Sequence, residues 1–298
     1  MLERTLRSFQ NIRIPEGLQV ELIIVDNGST DCTPAVVHAF HHSRFETIYC
    51  VEPKLGKSKA QNTALAVARG QVLLFTDDDV ELAENWIEGM STPLLEGQCE
   101  AVTGKIILAE SLRRPWFTPM HKVWLAYIEE LPDSLPELVG ASMGIRRSVF
   151  DTIGGFDENL GPGASGFGEE TLLWMQMKEA GMKVLPVRET QVVHYPEASR
   201  LLRASWLAAA SRFGHTGAYV THHWSHSREW LPALQLVWVN AKLVLRSLLR
   251  RAPNASDEGC AAWEMSYLVR RETLRHFMSE SRKPRHYELR GMRKINSQ

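Results

Sequence analysis

Val72-Leu73-Leu74-Phe75-Thr76-Asp77-Asp78-Asp79-Val80 joins a short apolar run to three consecutive acids. The run has the length and composition of a buried strand. Like charges side by side raise each other's energy unless a cation or a partner neutralises them, so such a strand end implies a ligand. Alternation along an extended chain predicts Asp77 and Asp79 on one side and Asp78 on the other. Two hard oxygen donors at the carboxyl end of a strand suit Mg²⁺ or Mn²⁺ carrying a phosphate-bearing ligand. The plainer alternative is an acidic turn ahead of a helix beginning near Glu81.

Upstream, Gln19–Val25 is a second predicted strand, and it runs into the polar turn Asp26-Asn27-Gly28-Ser29-Thr30-Asp31. Thr33-Pro34 offers an N-cap and a first-turn proline for a helix over 34–42. A strand at 45–51 and a helix starting near Ser58 complete the approach to Val72. Residues 2–10 form an amphipathic helix with Leu2, Leu6 and Phe9 on one face. Short apolar strands alternating with helices of about ten residues are the pattern of a mostly parallel sheet covered on both faces. In such sheets ligands bind beyond the carboxyl strand ends, so Asp26 and Asp77–Asp79 are expected to form one site.

Downstream, the pattern predicts a helix over 83–95, a strand at 99–108, a helix at 116–128 and a strand at 138–145 rich in small residues. Those small residues either let backbone approach a ligand or mark tight packing. A helix over Ser148–Gly155 and a glycine-rich loop, Gly161–Gly168, lead to Glu169-Glu170 at the start of a helix over 170–181. Short strands at 182–187 and 190–194 close the body. Beyond Pro196 the sequence predicts a helix at 200–213, then a loop carrying His215, His222, His223 and His226. Their spacing fits no zinc pattern, so a solvent-facing loop is expected. Residues 230–251 form a long helix with Trp230, Leu234, Trp238, Ala241, Leu245 and Leu248 on one face and Lys242, Arg246 and Arg250 elsewhere. Such a helix either lies at a membrane interface or docks on the body. A helix at 262–277 and a loose basic tail at 279–298 end the chain.

The 298 residues have a net charge of -1, but residues 1–199 hold 17 basic against 28 acidic side chains and residues 200–298 hold 17 against 7. An acidic body with a basic C-terminal third suggests a tail that meets something anionic. The aromatic residues there read as helix-face packing, which argues against nucleic acid. Cys32, Cys50, Cys99 and Cys260 are widely spaced and are expected to be reduced thiols. Neither a signal peptide nor an apolar run of spanning length is visible, so a cytoplasmic location is expected, with the inner face of the cell membrane as the place for the basic tail.

Four motifs in order, Val25–Asp31, the helix with Lys59, Gln61 and Asn62, Phe75–Asp79, and Gly154-Gly155-Phe156-Asp157 with Gly168-Glu169-Glu170, resemble the family 2 glycosyltransferases of GT-A fold over about residues 1–195. The resemblance implies a Rossmann-like, mixed and mostly parallel α/β sheet as a catalytic domain over 1–199, with a helical C-terminal region at 200–298. It implies inverting transfer of a sugar from a nucleoside diphosphate sugar, usually of uridine, to a saccharide or lipid-linked acceptor with Mn²⁺ or Mg²⁺. By that resemblance Asp26, Asn27, Lys59, Asn62, Asp77 and Asp78 bind the nucleotide sugar. Asp79, Asp77 and His194 face the metal and diphosphate, and Glu170 or Glu169 is the base. Asn27 and Gln61 stand where the family more often has aspartate and arginine, and Glu170 stands where it has aspartate. The family also begins with a strand ending in Pro-Thr-Tyr-Asn ahead of the helix at residues 2–10. Its absence implies a start downstream of that strand, another filler for the gap, or an impaired protein. A nucleotidyltransferase of the same fold and a non-catalytic nucleotide-sugar binder are the rival readings.

Overall fold

The computed structural model describes residues 1–133, 136–248 and 257–295. It divides into two compact units, the first built from Met1–Arg113, Leu125–Glu158 and Glu169–Pro196, the second from Arg114–Trp124, Asn159–Gly168 and Glu197–Gln298.

The first unit contains α1 (Leu2–Gln10), β1 (Glu21–Asp26), α2 (Thr33–Ala39), β2 (Glu46–Val51), α3 (Lys57–Val67), β3 (Val72–Phe75), β4 (Val80–Leu82), α4 (Trp86–Leu95) and β5 (Ala101–Leu108). After the excursion into the second unit, described below with its helix α5 (Pro119–Trp124), it adds β6 (Met143–Arg146), α6 (Ser148–Ile153), α7 (Glu169–Glu179) and β7 (Val184–His194). Strands β1 and β2 pair in parallel. The other five form a mixed sheet in the order β3-β6-β5-β7-β4, in which β5 and β7 are parallel and the remaining pairs antiparallel. Strands β1 and β3 therefore lie in different sheets.

Central β5 is mostly apolar, Lys105 and Thr103 excepted, and almost wholly buried along its length, as befits a strand packed on both faces. Helix α4 lays Trp86, Met90 and Leu94 on this sheet, and their approach depends on glycine. A Cβ on Gly104 would stand 2.9 Å from the Met90 sulfur, and one on Gly144 would stand 2.8 Å from Leu74 and Val102. Of the two meanings held open for the small residues at 138–145, Gly144 thus serves packing. The core gathers these side chains with Leu6 and Phe9 of α1, Val80, Ile106 and Val192.

Several expected elements take another form. Val80–Leu82, expected to lead into a helix, is strand β4, paired with β7. The two short strands expected at 182–194 are one strand whose pairing with β5 shifts register between Gly104 and Lys105, leaving residues 188–190 bulged. The helix expected over 116–128 shrinks to α5, because Ala126 takes a positive φ of 48° and Ile128 bridges to Ile106.

The second unit is helical, with α8 (Arg203–His223), α9 (Pro232–Leu248) and α10 (Ala262–Glu280) joining α5. Helices α8 and α10 pack closely at Gly214, where a Cβ would stand 2.5 Å from the Glu272 Cβ and 2.8 Å from the Val269 carbonyl. Helix α8 runs ten residues beyond the expected end at 213, so His215, His222 and His223 lie on a helix and not in a solvent-facing loop. His222 and His223 are buried against α10 and the segment after it. That segment is not loose. The Tyr287 carbonyl lies 3.0 Å from His226 Nε2, Arg290 donates its amide to the Trp224 carbonyl, and Trp224 donates its indole N–H to the Gly291 carbonyl. Of the long-helix expectation, Arg250 falls outside the described residues, as do 296–298 of the expected tail.

Candidate functional site

The acids after β3 do not continue the strand. Pairing ends at Phe75, and Asp78 and Asp79 sit in a turn before β4. The alternation argument therefore does not govern them. Instead each acid is placed by its own partner. The Thr5 hydroxyl of α1 lies 2.9 Å from the Asp78 carbonyl and 2.7 Å from that of Val80, which pins the turn. Asp78 itself is exposed. Asp77 Oδ1 accepts from Lys57 Nζ at 2.8 Å. Asp79 Oδ2 faces His194 Nε2 at 3.2 Å, and Tyr195 donates its amide to the Asp79 carbonyl.

Lys57 was not singled out by its sequence. It opens α3, and its ammonium also lies 3.6 Å from Glu169 Oε1 at the start of α7. Gly140 leaves room for it, since a Cβ there would stand 2.9 Å from Lys57 Nζ. Burial disfavours the ammonium, but Asp77, Glu169 and Glu170 together outweigh burial and hold Lys57 well above its usual range. Its local signal is a cation in the first turn of a helix, where the helix dipole favours anions.

Glu169 is 3% exposed. Burial pushes its carboxyl up to about 8, with the Glu170 charge adding to the rise and Lys57 opposing it. The two carboxyl groups share a hydrogen bond. The other Glu170 oxygen, Oε2, is buried without a hydrogen-bond partner among the described residues, so it is an acceptor held ready for a donor.

The remaining expected residues hold backbone. Asn27 donates to the Glu52 and Lys54 carbonyls, each at 2.9 Å, and accepts the Gly56 amide at 2.7 Å. It thereby fixes the start of α3, where Gly56 adopts a φ of 142° and delivers Lys57. Asn62 accepts the Phe156 amide at 2.9 Å and donates to the Phe156 carbonyl at 3.0 Å, anchoring the Gly155-Phe156-Asp157 turn. Lys59 Nζ donates to the Leu55 carbonyl at 3.3 Å. Asp26 closes its own turn, accepting the Ser29 amide at 2.8 Å and the Tyr49 hydroxyl at 2.6 Å. The Tyr49 bond holds the Asp26 carboxyl below its usual range, while Tyr49 is pushed up to about 12.

No cluster of three or more metal-ligating side chains is assembled among the described residues. The Asp79–His194 pair nevertheless has the chemistry of a partial cation site. His194 is buried, and its Nδ1 lies 2.8 Å from the Leu125 carbonyl, a bond that requires the proton on Nδ1. In a neutral ring the Nε2 lone pair then faces a carboxylate oxygen, so either a second proton or a cation belongs between them. A ligating histidine fixed by a carbonyl on its other nitrogen has this arrangement. Asp79 and His194 would be the residues to hold a divalent cation such as Mg²⁺ or Mn²⁺ here. Asp77 is committed to Lys57.

The sequence pattern of glycosyl transferase family 2 matches residues 1–154. Among curated proteins, the glucosyl-dolichyl phosphate glucuronosyltransferase of Haloferax volcanii is 26% identical over 148 residues, which is 48% of this chain and 47% of that protein. The O-antigen biosynthesis protein RfbC of Myxococcus xanthus is 24% identical, over 80% of this chain and 19% of its own length. The chain thus spans less than half the length of either relative. Among solved structures, a mannosyltransferase of Pyrobaculum calidifontis in complex with GDP-Man and Mn²⁺ superposes with a TM-score of 0.57 at 18% identity, covering 90% of this chain and 81% of that one. S. aureus TarS 1-349 superposes with a TM-score of 0.51 at 17% identity, covering 94% and 86%. These structures share the fold, a Rossmann-like mixed α/β sheet with a helical extension. With the sequence pattern covering more than half of its residues, this chain belongs to glycosyl transferase family 2.

Proposed function

We propose that the chain transfers a sugar from a nucleoside diphosphate sugar, with uridine as the favoured base, to a hydroxyl of a saccharide or lipid-linked acceptor, inverting the anomeric centre. The observation that carries this reading is the convergence of Asp77, Lys57 and the Glu169–Glu170 pair from a strand end and two helix starts. In the reaction the acceptor oxygen forms a bond to the anomeric carbon. The bond from that carbon to the diphosphate breaks with its electron pair leaving on the diphosphate, and the acceptor proton passes to a carboxylate. Glu169, raised by burial, keeps its own proton near neutral pH and donates it to Glu170. Glu170 is then the carboxylate with a buried, unengaged oxygen, so it is the base in this reading. Asp79 and His194 are the residues to hold Mn²⁺ or Mg²⁺, which when bound neutralises charge on the departing diphosphate. Asp26, Asn27, Lys59, Asn62, Asp77 and Asp78 line the donor side, several of them by fixing backbone.

Peripheral membrane contact through α9 belongs to the same proposal. Leu234, Trp238, Leu245 and Leu248 are exposed on that helix, Leu248 by 79%, and Trp230 just ahead of it is exposed by 80%. No described helix is long and apolar enough to cross a membrane. The exposed apolar face of α9 supports the inner face of the cell membrane as the proposed place of work.

The test is turnover of a panel of nucleotide sugars with Mn²⁺ and without acceptor. Slow release of nucleoside diphosphate, selective for one donor, is expected. Binding without turnover would favour a non-catalytic binder, and release of pyrophosphate from a nucleoside triphosphate would favour nucleotidyl transfer.

A further inference from the structure

The second unit contains a cavity of about 660 Å³ between α9, α10 and the segment around Trp116. That volume is in the range of sites that enclose a small amphiphilic molecule. Its apolar walls come from Trp116, Leu243, Trp263 and Leu268, which offer hydrocarbon and aromatic faces but few polar contacts. Its charged groups are unevenly satisfied. Glu258 is held by a two-pronged contact from Arg114, at 2.6 and 2.9 Å. Glu264 is held by Arg203. Arg271 reaches Glu272 at 2.8 Å, and Glu272 has a second arginine, Arg275, at 2.9 Å.

Arg246 is different. Its guanidinium rests on the Trp263 ring at 4.9 Å and the Tyr267 ring at 5.1 Å, and no carboxylate of the described residues pairs with it. The cavity is lined by three guanidinium groups, those of Arg203, Arg246 and Arg271, and by two carboxylates, Glu258 and Glu264, both already held by arginines. A planar fork of donors lying on aromatic rings at the edge of an apolar slot presents its N–H groups to a phosphate while the slot takes a chain.

We propose that this cavity binds one anionic lipid, a phosphate monoester whose headgroup meets Arg246 and whose hydrocarbon chain enters the slot lined by Trp116, Leu243, Trp263 and Leu268. A free phosphate satisfies the guanidinium but leaves the slot empty. A zwitterionic lipid fills the slot but brings its own cation against Arg246 and Arg271. The net positive surplus and the apolar walls together select the lipid phosphate. The inference goes beyond sugar transfer and beyond adsorption of α9 to a membrane surface, since it concerns a single molecule taken up by a defined cavity.

The experiment is isothermal titration of the full chain with dihexanoyl phosphatidic acid, kept below its micelle concentration and without any donor sugar. One lipid per chain is expected. Dihexanoyl phosphatidylcholine and inorganic phosphate are expected to bind at least about tenfold more weakly. Arg246 is exposed, so Arg246→Gln leaves the fold intact and is expected to weaken binding about tenfold to a hundredfold, the loss of one charge-assisted contact. Leu268→Trp, which fills the slot, is expected to abolish binding, with a thermal melt to confirm that the variant is folded. Inorganic phosphate or phosphatidylcholine binding as well as phosphatidic acid would overturn the proposal, as would an unchanged Arg246→Gln or the absence of binding. Transfer activity is read separately with the donor panel, so failure of one leaves the other standing.

Discussion

Lys57 Nζ lies 2.8 Å from Asp77 Oδ1, and the same ammonium lies 3.6 Å from Glu169 Oε1. One cation therefore ties the end of β3, where the donor diphosphate is expected, to the start of α7, where the base is expected. Lys57→Met leaves the Asp77 and Glu170 carboxylates, beside the protonated Glu169, without their counter-charge. The pair is about a quarter exposed (28% and 27%), so the stability loss is expected near 2 kcal/mol, below that of a fully buried pair. The kinetic loss is expected to be larger, about a hundredfold in kcat/KM, because Glu169 and Asp77 both change environment. Chemical melts and steady-state rates check the two figures, and unaltered rates would remove Lys57 from the site.

Glu169 and Glu170 separate by pH. The Glu169 carboxyl is raised from an ordinary 4.5 to about 8 in the folded protein. Between those values the folded state binds the extra proton, so stability falls as pH rises from 4.5 and the loss is complete near 8. Glu169→Gln mimics the protonated form and is expected to abolish that part of the slope, with a gain on the order of a few kcal/mol at pH 8 over pH 4.5 relative to the parent. Glu170→Gln is expected to lower kcat at least about a hundredfold while donor affinity stays nearly unchanged. If Glu169→Gln instead causes the larger loss of kcat near pH 7, the base is Glu169.

How far the sequence could be read follows from where the partners lie along it. The strand ending at Phe75 and its acids, the turn at Asp26, and the glutamates at the start of α7 carry their signals within a few residues. Lys57 does not, because Asp77 and Glu169 are distant in sequence and only the fold brings them to one ammonium. Asn27 and Asn62 are expected in the site only by resemblance, and their bonds to the Gly56 and Phe156 backbone are visible only in three dimensions. The histidines of α8 misled for another reason. Polar residues suggest a loop, yet His222 and His223 are buried because α10 and the segment after it supply partners for their ring nitrogens.

That buried arrangement makes the second unit sensitive to acid. His223 is fully buried, stacked on His286 at 3.9 Å with its Nε2 2.9 Å from Glu280 Oε2. Burial lowers its pKa from 6.5 to about 4, with Glu280 opposing the fall and His286 and His222 adding to it. The unfolded chain therefore takes up a proton first as pH drops. Stability is full above about 6.5 and is lost progressively toward 4, on the order of 3 kcal/mol in all. His223→Phe keeps a ring against His286 and removes the proton site, so its urea midpoint is expected to vary less than the parent's across that window. An equal slope in both proteins would show that other groups set the acid limit.

The exposed face of α9 gives the last prediction. Trp238 and Leu245 are more than half exposed, while Lys242 covers the Trp238 ring at 3.5 Å and Arg246 lies over Trp263 and Tyr267. Apolar side chains facing outward beside cations suit insertion at the level of anionic headgroups. The full chain is expected to sediment with vesicles containing phosphatidylserine and to dissociate as salt is raised, since the Debye length falls from about 10 Å at 0.1 M to about 3 Å at 1 M. Replacing both Trp238 and Leu245 by glutamate is expected to reduce partitioning by at least about tenfold, because two inserted apolar groups are lost and two repelled charges appear. Both side chains are more than half exposed, so the melting temperature should change little. Equal partitioning of the parent and the double variant would assign the face to a protein partner instead of a membrane.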